Sequence, residues 1–299
     1  MAAALGARLT AIDVPRHRSV LPSFSTSELL AGTAFESPYD LSEKRNLGLL
    51  IARLSGWQQI VFLDDDVSVP SPNDLVEAAS WLSDYQAVGL ANVGWPDNSV
   101  VCHVYREVDP ESQAQFIGAG ALAVNPQRSA SFFPDIYCED WFYFLGEANP
   151  PSLAVTGTVS QREFDPFTSV DRAKNEELGD SLAEGMYWLL DERDSAKLDE
   201  VSHWRDFLRR RREFIQHLLK EIIRSEYTEI GRRRRVEALE AALRRNSMIN
   251  PSLCVEYLRR WQADVVLWQQ FLAEVDAART DSIDEALDWL GLADVSYRT

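Results

Sequence analysis

Three consecutive carboxylates, Asp64, Asp65 and Asp66, follow the apolar residues 61–63. Adjacent carboxylates repel one another, and an unpaired carboxylate is costly to bury. The three side chains are therefore expected at a solvated strand end or around a shared cation. Carboxylate oxygens are the ligands that a hard divalent cation such as Mg²⁺ prefers. The triplet alone is compatible with a metal site and equally with a strand end that binds nothing.

A basic group and an acidic pair could also take part in chemistry. Lys44, Arg45 and Asn46 lie in the first turn of a predicted helix, where free backbone amides and the helix dipole favour a bound anion. Cations oppose the dipole at this position, so a bound anion would account for them; a solvated basic turn is the alternative. Downstream, Glu139 and Asp140 could supply a general base or could simply begin a helix.

The order and spacing of four motifs resemble the family 2 glycosyltransferases of the GT-A fold. That family carries Ala-Arg-Asn-x-Gly at a helix start, a strand ending in Asp-x-Asp, a glycine-rich segment before a strand, and an acidic pair before an aromatic residue. The corresponding segments here are residues 44–48, 60–66, 118–120 and 139–141. The resemblance covers roughly residues 7–190. It implies an α/β fold of the GT-A type, a Rossmann-like mixed sheet with flanking helices.

The resemblance also implies an activity. It indicates an inverting, metal-dependent transfer of a sugar from a nucleotide-sugar donor to a hydroxyl acceptor. In the donor the sugar is attached to a nucleotide diphosphate. The acceptor is unidentified and could be a glycan, a lipid or a small molecule. A divalent cation, Mn²⁺ or Mg²⁺, would neutralise the departing diphosphate, and Asp64 and Asp66 would be its ligands. Asp140 would be the general base that takes the proton of the acceptor hydroxyl, with Glu139 beside it.

Further residues are assigned to the two substrates by the same resemblance. Gly118 and Gly120 would permit close approach of the acceptor or donor, although a glycine pair before a strand is as often only a turn. Trp141 would form a platform for an acceptor sugar ring, with a place in the core as the alternative. The residues assigned to the donor are Asp13, Lys44, Arg45, Asn46, Asp64 and Asp65.

The amino-terminal part departs from the family pattern. Residues 8–14 form a predicted strand whose Asp13 precedes Asn46 by 33 residues, which matches the second strand of the family rather than the first. We therefore expect the first strand to be lacking. Two alternatives stay open. One is a degenerate GT-A domain that only binds sugars or partners. The other is a haloacid dehalogenase-type phosphatase, because residues 64–68 loosely match the Asp-x-Asp-x-Thr loop of those enzymes.

Composition and charge limit the classes of function. The 299 residues are 45% hydrophobic and carry a formal net charge of −17, which disfavours nucleic acid as a partner. Half of the 30 Lys and Arg residues lie within residues 201–260, so peripheral contact with a membrane stays open. Cys102, Cys138 and Cys254 lack the spacing of a zinc motif or a disulfide framework, which indicates a reduced, cytoplasmic setting.

The elements that must position these residues follow from hydrophobic periodicity. Apolar residues at i, i+3, i+4 and i+7 over 47–54 predict a helix that begins at a capping box, residues 40–43. The other predicted helices of this part are 71–85, 139–146 and 178–189, and the predicted strands are 8–14, 59–63, 87–92, 100–105, 121–124 and 153–164. The alternation of strands and helices predicts an α/β sheet.

From about residue 200 the pattern changes to long amphipathic helices. They are predicted over roughly 201–225, 229–246, 251–277 and 281–291. We therefore predict two parts, a GT-A-like domain over 1–195 and a helical C-terminal region over 196–299. Aromatic residues at helical spacing in the second part favour a buried core, and a homo-oligomer interface is the alternative.

Overall fold

Strands and helices alternate over the first part of the chain, and helices alone follow. A computed structural model describes residues 9–14, 20–95, 99–110, 117–147 and 152–298. The strands are β1 (Thr10–Ile12), β2 (Ile60–Leu63), β3 (Val67–Ser68), β4 (Ala87–Asn92), β5 (Ala121–Val124), β6 (Leu153–Gln161) and β7 (Ser296–Arg298). The helices of the first part are α1 (Ser25–Leu30), α2 (Leu41–Leu54), α3 (Pro72–Ser80), α4 (Val100–Val108), α5 (Glu139–Glu147) and α6 (Val170–Asp191). Those that follow are α7 (Val201–Arg224), α8 (Glu229–Met248), α9 (Pro251–Ala277) and α10 (Ile283–Trp289).

Five strands form one mixed sheet in the order β2-β5-β4-β6-β3. β4 and β6 run parallel, whereas β2, β5 and β4 are successively antiparallel, and so are β6 and β3. The carboxyl ends of β2, β4 and β6 therefore meet the amino end of β5 at one edge of the sheet. The prediction of an α/β fold with a mixed sheet and flanking helices is confirmed.

The sheet is covered on both faces because its side chains alternate. Leu122 and Val124 of β5 belong to the hydrophobic cluster that contains α2, whereas Ala121 and Ala123 belong to the cluster that contains α3. This is the period of two that a strand imposes on its side chains. The sheet is thus the middle layer, and its edges are where polar groups can reach solvent.

Helix α2 begins where its periodicity predicts, but its first turn differs from the predicted capping box. The Asp40 side chain makes no capping hydrogen bond and instead forms an ion pair of 2.9 Å with Lys44. Both side chains are about half exposed, so the pair contributes little to stability. The start of α2 is set instead by the burial of its apolar face, with Leu50 and Leu54 fully enclosed.

The predicted strand over residues 100–105 is wrong, because this segment forms helix α4. Its valines favour a strand by intrinsic propensity. Val100, Val101 and Val104 nevertheless share one buried helical face, and the Ser99 side chain accepts a hydrogen bond from the Cys102 amide at 3.3 Å. Burial of this face and the N-cap together outweigh the preference of β-branched residues for strands.

Of the predicted strand over residues 8–14, the described residues 9–14 form a strand only over β1, which lies outside the five-stranded sheet. β1 pairs with β7 in a separate antiparallel ribbon, in which Ala11 faces Tyr297. The Asp13 amide donates to the Val295 carbonyl at 3.0 Å. A three-residue strand has too little alternation to indicate its partner, and here that partner lies at the far end of the chain.

The helices after residue 200 share a core with the α/β part. One cluster of buried side chains contains Leu50 and Phe133 together with Trp261 and Trp268. Trp204, Trp261 and Trp268 are accordingly core residues, whereas Trp289 near the end of this region is 41% exposed. The predicted division at residue 195 therefore does not separate two hydrophobic cores. Within the described ranges, the structure contains no helix that is both long and apolar enough to cross a membrane.

A buried ionic network joins α7 to α6. Arg211, whose side chain is 1% exposed, donates to both carboxylate oxygens of Glu177 at 2.7 and 2.9 Å, to Asp180 at 2.9 Å and to Glu184 at 2.5 Å. Asn246 of α8 also donates to Glu177, at 2.8 Å. The Glu177 carboxylate of α6 thus accepts from both α7 and α8, so these contacts connect three helices.

Replacement of this guanidinium group should destabilise the protein strongly. Arg211→Met would leave buried carboxylates without their cation, a change that costs roughly 3–5 kcal/mol. The matched control is Arg209→Met on the same helix, because the Arg209 side chain is 51% exposed and its ion pairs are worth under about 1 kcal/mol. Urea unfolding of the two variants measures the difference. Equal unfolding midpoints would contradict a stabilising role for the buried network.

Candidate functional site

A cavity of about 400 Å³ lies at the edge where β2, β4 and β6 end and β5 begins. In open α/β sheets, ligands bind at such an edge, beyond the carboxyl ends of the strands. The residues that line it and carry polar or charged groups include Arg45, Asp64, Asn92, Cys102, Arg106, Glu139, Asp140, Gln161, Asp180 and Glu184. The strand ends and the helices α2, α4, α5 and α6 all contribute, so segments far apart in sequence meet here.

Arg45 is the central cation of one wall. Its side chain is 6% exposed, and its Nη2 donates to the two carboxylate oxygens of Asp64 at 3.1 and 3.3 Å. Its Nη1 donates to Glu139. Burial opposes the charge of Arg45, but the carboxylates of Glu139 and Asp64 outweigh burial and raise the pKa of the guanidinium group. The start of α2 is thereby tied to the end of β2 and to the start of α5.

Asp140 is held by the backbone on both of its oxygens. Oδ2 accepts from the Ala119 amide at 2.9 Å, and Oδ1 accepts from the Trp141 amide at 2.9 Å. The Gly118–Gly120 segment passes between the two carboxylates of the site. An added Cβ would lie 3.5 Å from Asp140 Oδ2 at Gly118 and 3.2 Å from Asp64 Oδ2 at Gly120. A side chain at Gly118 would thus make an ordinary contact with Asp140, whereas at Gly120 it would crowd Asp64.

The chain turns sharply into α5 just before the acidic pair. Cys138 has a φ of 62°, in the left-handed region that costs a residue with a Cβ roughly 1 kcal/mol. The neighbouring helix α6 approaches this turn closely at Gly179, where an added Cβ would lie 2.0 Å from the Tyr137 carbonyl oxygen. The turn and the glycine contact together direct Glu139 and Asp140 into the cavity.

The acidic pair has altered protonation because it is buried beside other carboxylates. Burial raises the pKa of Glu139 to about 8, with Arg45 acting in the opposite direction and Asp140 adding to the rise. Burial also raises the pKa of Asp140, and Arg45 and the Ala119 amide oppose this rise. Glu139 can thus hold a proton near neutral pH, and Asp140 is a stronger base than a solvated aspartate.

The opposite wall is formed by α4 and α6. Cys102 of α4 lies with Asp180 and Glu184 of α6, and one ligand atom from each lies within 4.8 Å of the other two. Asp180 and Glu184 also form ion pairs with the buried Arg211 of α7. Trp141 also lines the cavity and contacts Tyr187 edge to face, with ring centroids 4.6 Å apart.

Seven of the residues predicted for the site line this one cavity. They are Arg45, Asp64, Gly118, Gly120, Glu139, Asp140 and Trp141. They come from α2, the end of β2, the segment before β5 and the start of α5, and Arg45 lies in the second turn of α2 rather than in the predicted first turn. Sequence order alone does not require these segments to meet.

Five other predicted site residues do not line the cavity. Lys44 is exposed and paired with Asp40, and the buried Asn46 exchanges two hydrogen bonds of 2.8 Å with the Phe133 backbone. Asp13 lies at the β1–β7 ribbon, and Asp65 is exposed. Asp66 accepts from Gln161 Nε2 at 3.0 Å. Asn46 thus stabilises the loop before α5. The contacts of these five residues do not indicate a binding site for a nucleotide-sugar donor.

The predicted metal ligands Asp64 and Asp66 are both engaged in contacts with protein groups. Asp64, Glu139 and Asp140 bring three carboxyl groups to one guanidinium group, and both oxygens of Asp64 accept from Arg45, so a metal ion at Asp64 would have to replace this contact. Asp66 would join Asp64 only after loss of its bond to Gln161. The assignment of Asp66 as a ligand stays a prediction, and Asp64 is the residue of the pair that faces the cavity.

Sequence patterns missed the wall formed by Cys102, Asp180 and Glu184. One signal was present: Glu176, Asp180 and Glu184 recur at four-residue spacing on a helix whose apolar residues predict burial. Carboxylates on a buried helical face need partners or a ligand. Cys102 offered no such signal, because its segment was assigned to a strand.

Comparisons with known proteins found no relative: no protein-family model, no curated protein and no solved structure matches this chain.

The raised pKa of Glu139 has a consequence for stability that can be measured. The folded protein keeps the proton on Glu139 up to about pH 8, whereas the unfolded chain releases it near the ordinary value of 4.5. The contribution of this protonation difference to the free energy of unfolding is complete below pH 4.5 and is lost as the pH rises to about 8. Glu139→Gln removes the titrating group and keeps the shape of the neutral acid.

We therefore expect the free energy of unfolding to fall more steeply with pH in the unsubstituted protein than in Glu139→Gln. The difference over this window should be at least about 1 kcal/mol, since one unit of pKa corresponds to about 1.4 kcal/mol. Denaturant unfolding across the window measures it, with the exposed Asp65→Asn as the control that should follow the unsubstituted protein. Parallel pH profiles for Glu139→Gln and the unsubstituted protein would show that Glu139 is not protonated by burial.

Proposed function

We propose that this chain is a glycosyltransferase with a GT-A type fold, which transfers a sugar from a nucleotide diphosphate to a hydroxyl acceptor with inversion. The observation that carries the proposal is the convergence of Arg45, Asp64, the Gly118–Gly120 segment and the acidic pair at one edge of a mixed sheet. The resemblance to family 2 enzymes rests on these same motifs. Their meeting in one cavity is what a common active site requires.

Asp140 has the properties that the general base of such a reaction needs. Two backbone amides fix its carboxylate, and burial raises its pKa toward the range in which an aspartate accepts a proton efficiently. The acceptor hydroxyl would pass its proton to Asp140 as its oxygen bonds to the anomeric carbon. The bond from that carbon to the phosphate oxygen breaks at the same time, and the nucleoside diphosphate leaves with the electron pair.

Arg45 and Asp64 would serve the departing diphosphate. Arg45 can turn its guanidinium group from Glu139 toward a phosphate, because a protonated Glu139 no longer requires a cation. Asp64 would hold a Mg²⁺ or Mn²⁺ ion, with Asp66 as a second ligand after rearrangement. Such an ion neutralises charge on the leaving group when it is bound.

The alternatives make different demands on the same residues. A phosphatase of the haloacid dehalogenase type would need Asp64 as a nucleophile, whereas the transfer would need it as a metal ligand. In either role the Asp64 carboxylate, whose two oxygens accept from Arg45, would have to release that contact. A degenerate domain would bind a nucleotide sugar without transfer. Its support is that Lys44 and Asn46 are engaged in contacts away from the cavity.

The decisive variant is Asp140→Asn, tested by release of nucleoside diphosphate from a panel of uridine, guanosine and adenosine diphosphate sugars with mixed acceptors. We expect transfer to fall by about 100- to 10,000-fold, the usual contribution of a general base. Binding of the donor, measured by calorimetry with Mn²⁺ present, should be retained. Asp65→Asn, an exposed change in the same acidic run as Asp64, is the control that should keep transfer.

Three other outcomes would favour the alternatives. Undiminished transfer by Asp140→Asn would remove the base assignment. Release of phosphate from simple phosphoesters would favour the phosphatase if Asp64→Asn abolishes it and Asp140→Asn leaves it unchanged. Donor binding without transfer by the unsubstituted protein, across the whole panel, would favour the degenerate domain.

A further inference from the structure

The wall opposite Asp140 carries a mixed set of metal-binding groups that the proposed transfer does not use. Cys102, Asp180 and Glu184 each direct one ligand atom into a space where these atoms lie within 4.8 Å of one another. All three residues line the cavity, so a small ion can reach them from solvent. A thiol with two carboxylates is a donor set that a borderline-soft dication accepts and that Mg²⁺ does not favour.

The distances allow a zinc-like geometry after a small adjustment. Bonds of about 2.0 Å to oxygen and 2.3 Å to sulfur place tetrahedral ligand atoms about 3.5 Å apart. From separations of up to 4.8 Å, the three atoms would therefore approach one another by about 1.3 Å at most. Glu184 has room for such a movement, because its side chain is 35% exposed. Three protein ligands would leave one position open to the cavity, as in catalytic zinc sites.

The charge around this set is unbalanced in favour of a cation. Arg211 is one positive charge, and it serves Glu177, Asp180 and Glu184, so the network holds two more negative than positive groups. Glu177 and Arg211 are enclosed, and solvent screens them little. A dication would lower this excess of negative charge, and with Cys102 bound as a thiolate one negative charge would remain. The excess is an observation that is independent of the ligand geometry.

The groups behind the set hold it in position. Arg211 donates to Asp180 Oδ2, and the Cys138 thiol lies 3.4 Å from Asp180 Oδ1. Glu184 Oε2 accepts from Arg211, and the Ser99 hydroxyl anchors the backbone of Cys102 at the start of α4. Hydrogen bonds of this kind orient the ligands of metal sites.

We propose that Cys102, Asp180 and Glu184 bind Zn²⁺ or a similarly thiophilic dication at a site separate from Asp64. On binding, the Cys102 thiol gives its proton to solvent and its sulfur bonds to the metal. A cysteine without a metal is largely a thiol near neutral pH, and the metal binds the thiolate. Uptake of the metal should therefore release a proton and weaken at low pH.

Cobalt provides the direct test, because Co²⁺ replaces Zn²⁺ and its bond to a thiolate gives a strong near-ultraviolet charge-transfer absorption. The full chain, stripped of metal and kept reduced without added thiols, is titrated with Co²⁺. We expect the absorption to appear with one equivalent of Co²⁺ and to disappear when Zn²⁺ is added. Absence of the absorption at any Co²⁺ concentration would overturn the proposal.

Variants separate the ligands from their neighbours. Cys102→Ser should abolish the absorption, whereas Glu184→Gln should keep it and weaken Co²⁺ binding roughly tenfold or more. Glu184→Gln is the safer variant for folding, since its side chain is partly exposed. Asp64→Asn should leave the absorption unchanged, which distinguishes this site from the ion of the proposed transfer. An absorption that survives Cys102→Ser and is lost in Cys138→Ser would also overturn the assignment.

Discussion

The arrangement of the site depends on the ion pairs of a single buried side chain, Arg45. It connects Asp64 at the end of β2 with Glu139 at the start of α5. Removal of one partner from a buried pair leaves the other without compensation, which is far more costly than loss of an exposed pair. The relative position of the strand end and the acidic pair is therefore fixed by Arg45, and Gly120 allows the segment before β5 to pass close to Asp64.

Arg211 plays a corresponding part on the other wall, and it comes from the helices after residue 200. Through it, α7 holds two cavity carboxylates, Asp180 and Glu184, on α6. The C-terminal helices are therefore coupled to the cavity by charge as well as by the shared apolar core. Changes in the packing of α7 against α6 would be transmitted to the shape of this wall.

Local patterns in the sequence were sufficient to predict most helices and strands. They were not sufficient to predict all contacts between elements that are distant in sequence. The α2 helix and strands β2, β4 and β5 follow directly from hydrophobic periodicity and sit close to their predicted bounds. Helix α4 was missed because β-branched residues in one buried helical face resemble a strand. The β1–β7 pairing was missed because a three-residue strand carries no information about its partner.

The same distinction applies to the site. Arg45, Asp64 and Asp140 could be predicted because short motifs with a known order contain them. Lys44 and Asn46 belong to the same motif, yet adjacent positions on a helix point in different directions, so one faces solvent and the other a loop backbone. Asp180 and Glu184 belong to no motif, and only the fold of α6 against α4 brings them to Cys102.

The charge of the cavity limits what can bind there. Five carboxyl groups line it, those of Asp64, Glu139, Asp140, Asp180 and Glu184, against the guanidinium groups of Arg45 and Arg106. A diphosphate adds further negative charge, so its entry must be accompanied by a cation, by protonation of a carboxyl group, or by both. Burial raises the pKa of Glu139, and a proton on Glu139 would remove one charge next to Arg45 and weaken the contact that now holds this guanidinium group. Under the proposed transfer, the high pKa of Glu139 therefore favours donor binding, and deprotonation of Glu139 returns Arg45 to its internal partner.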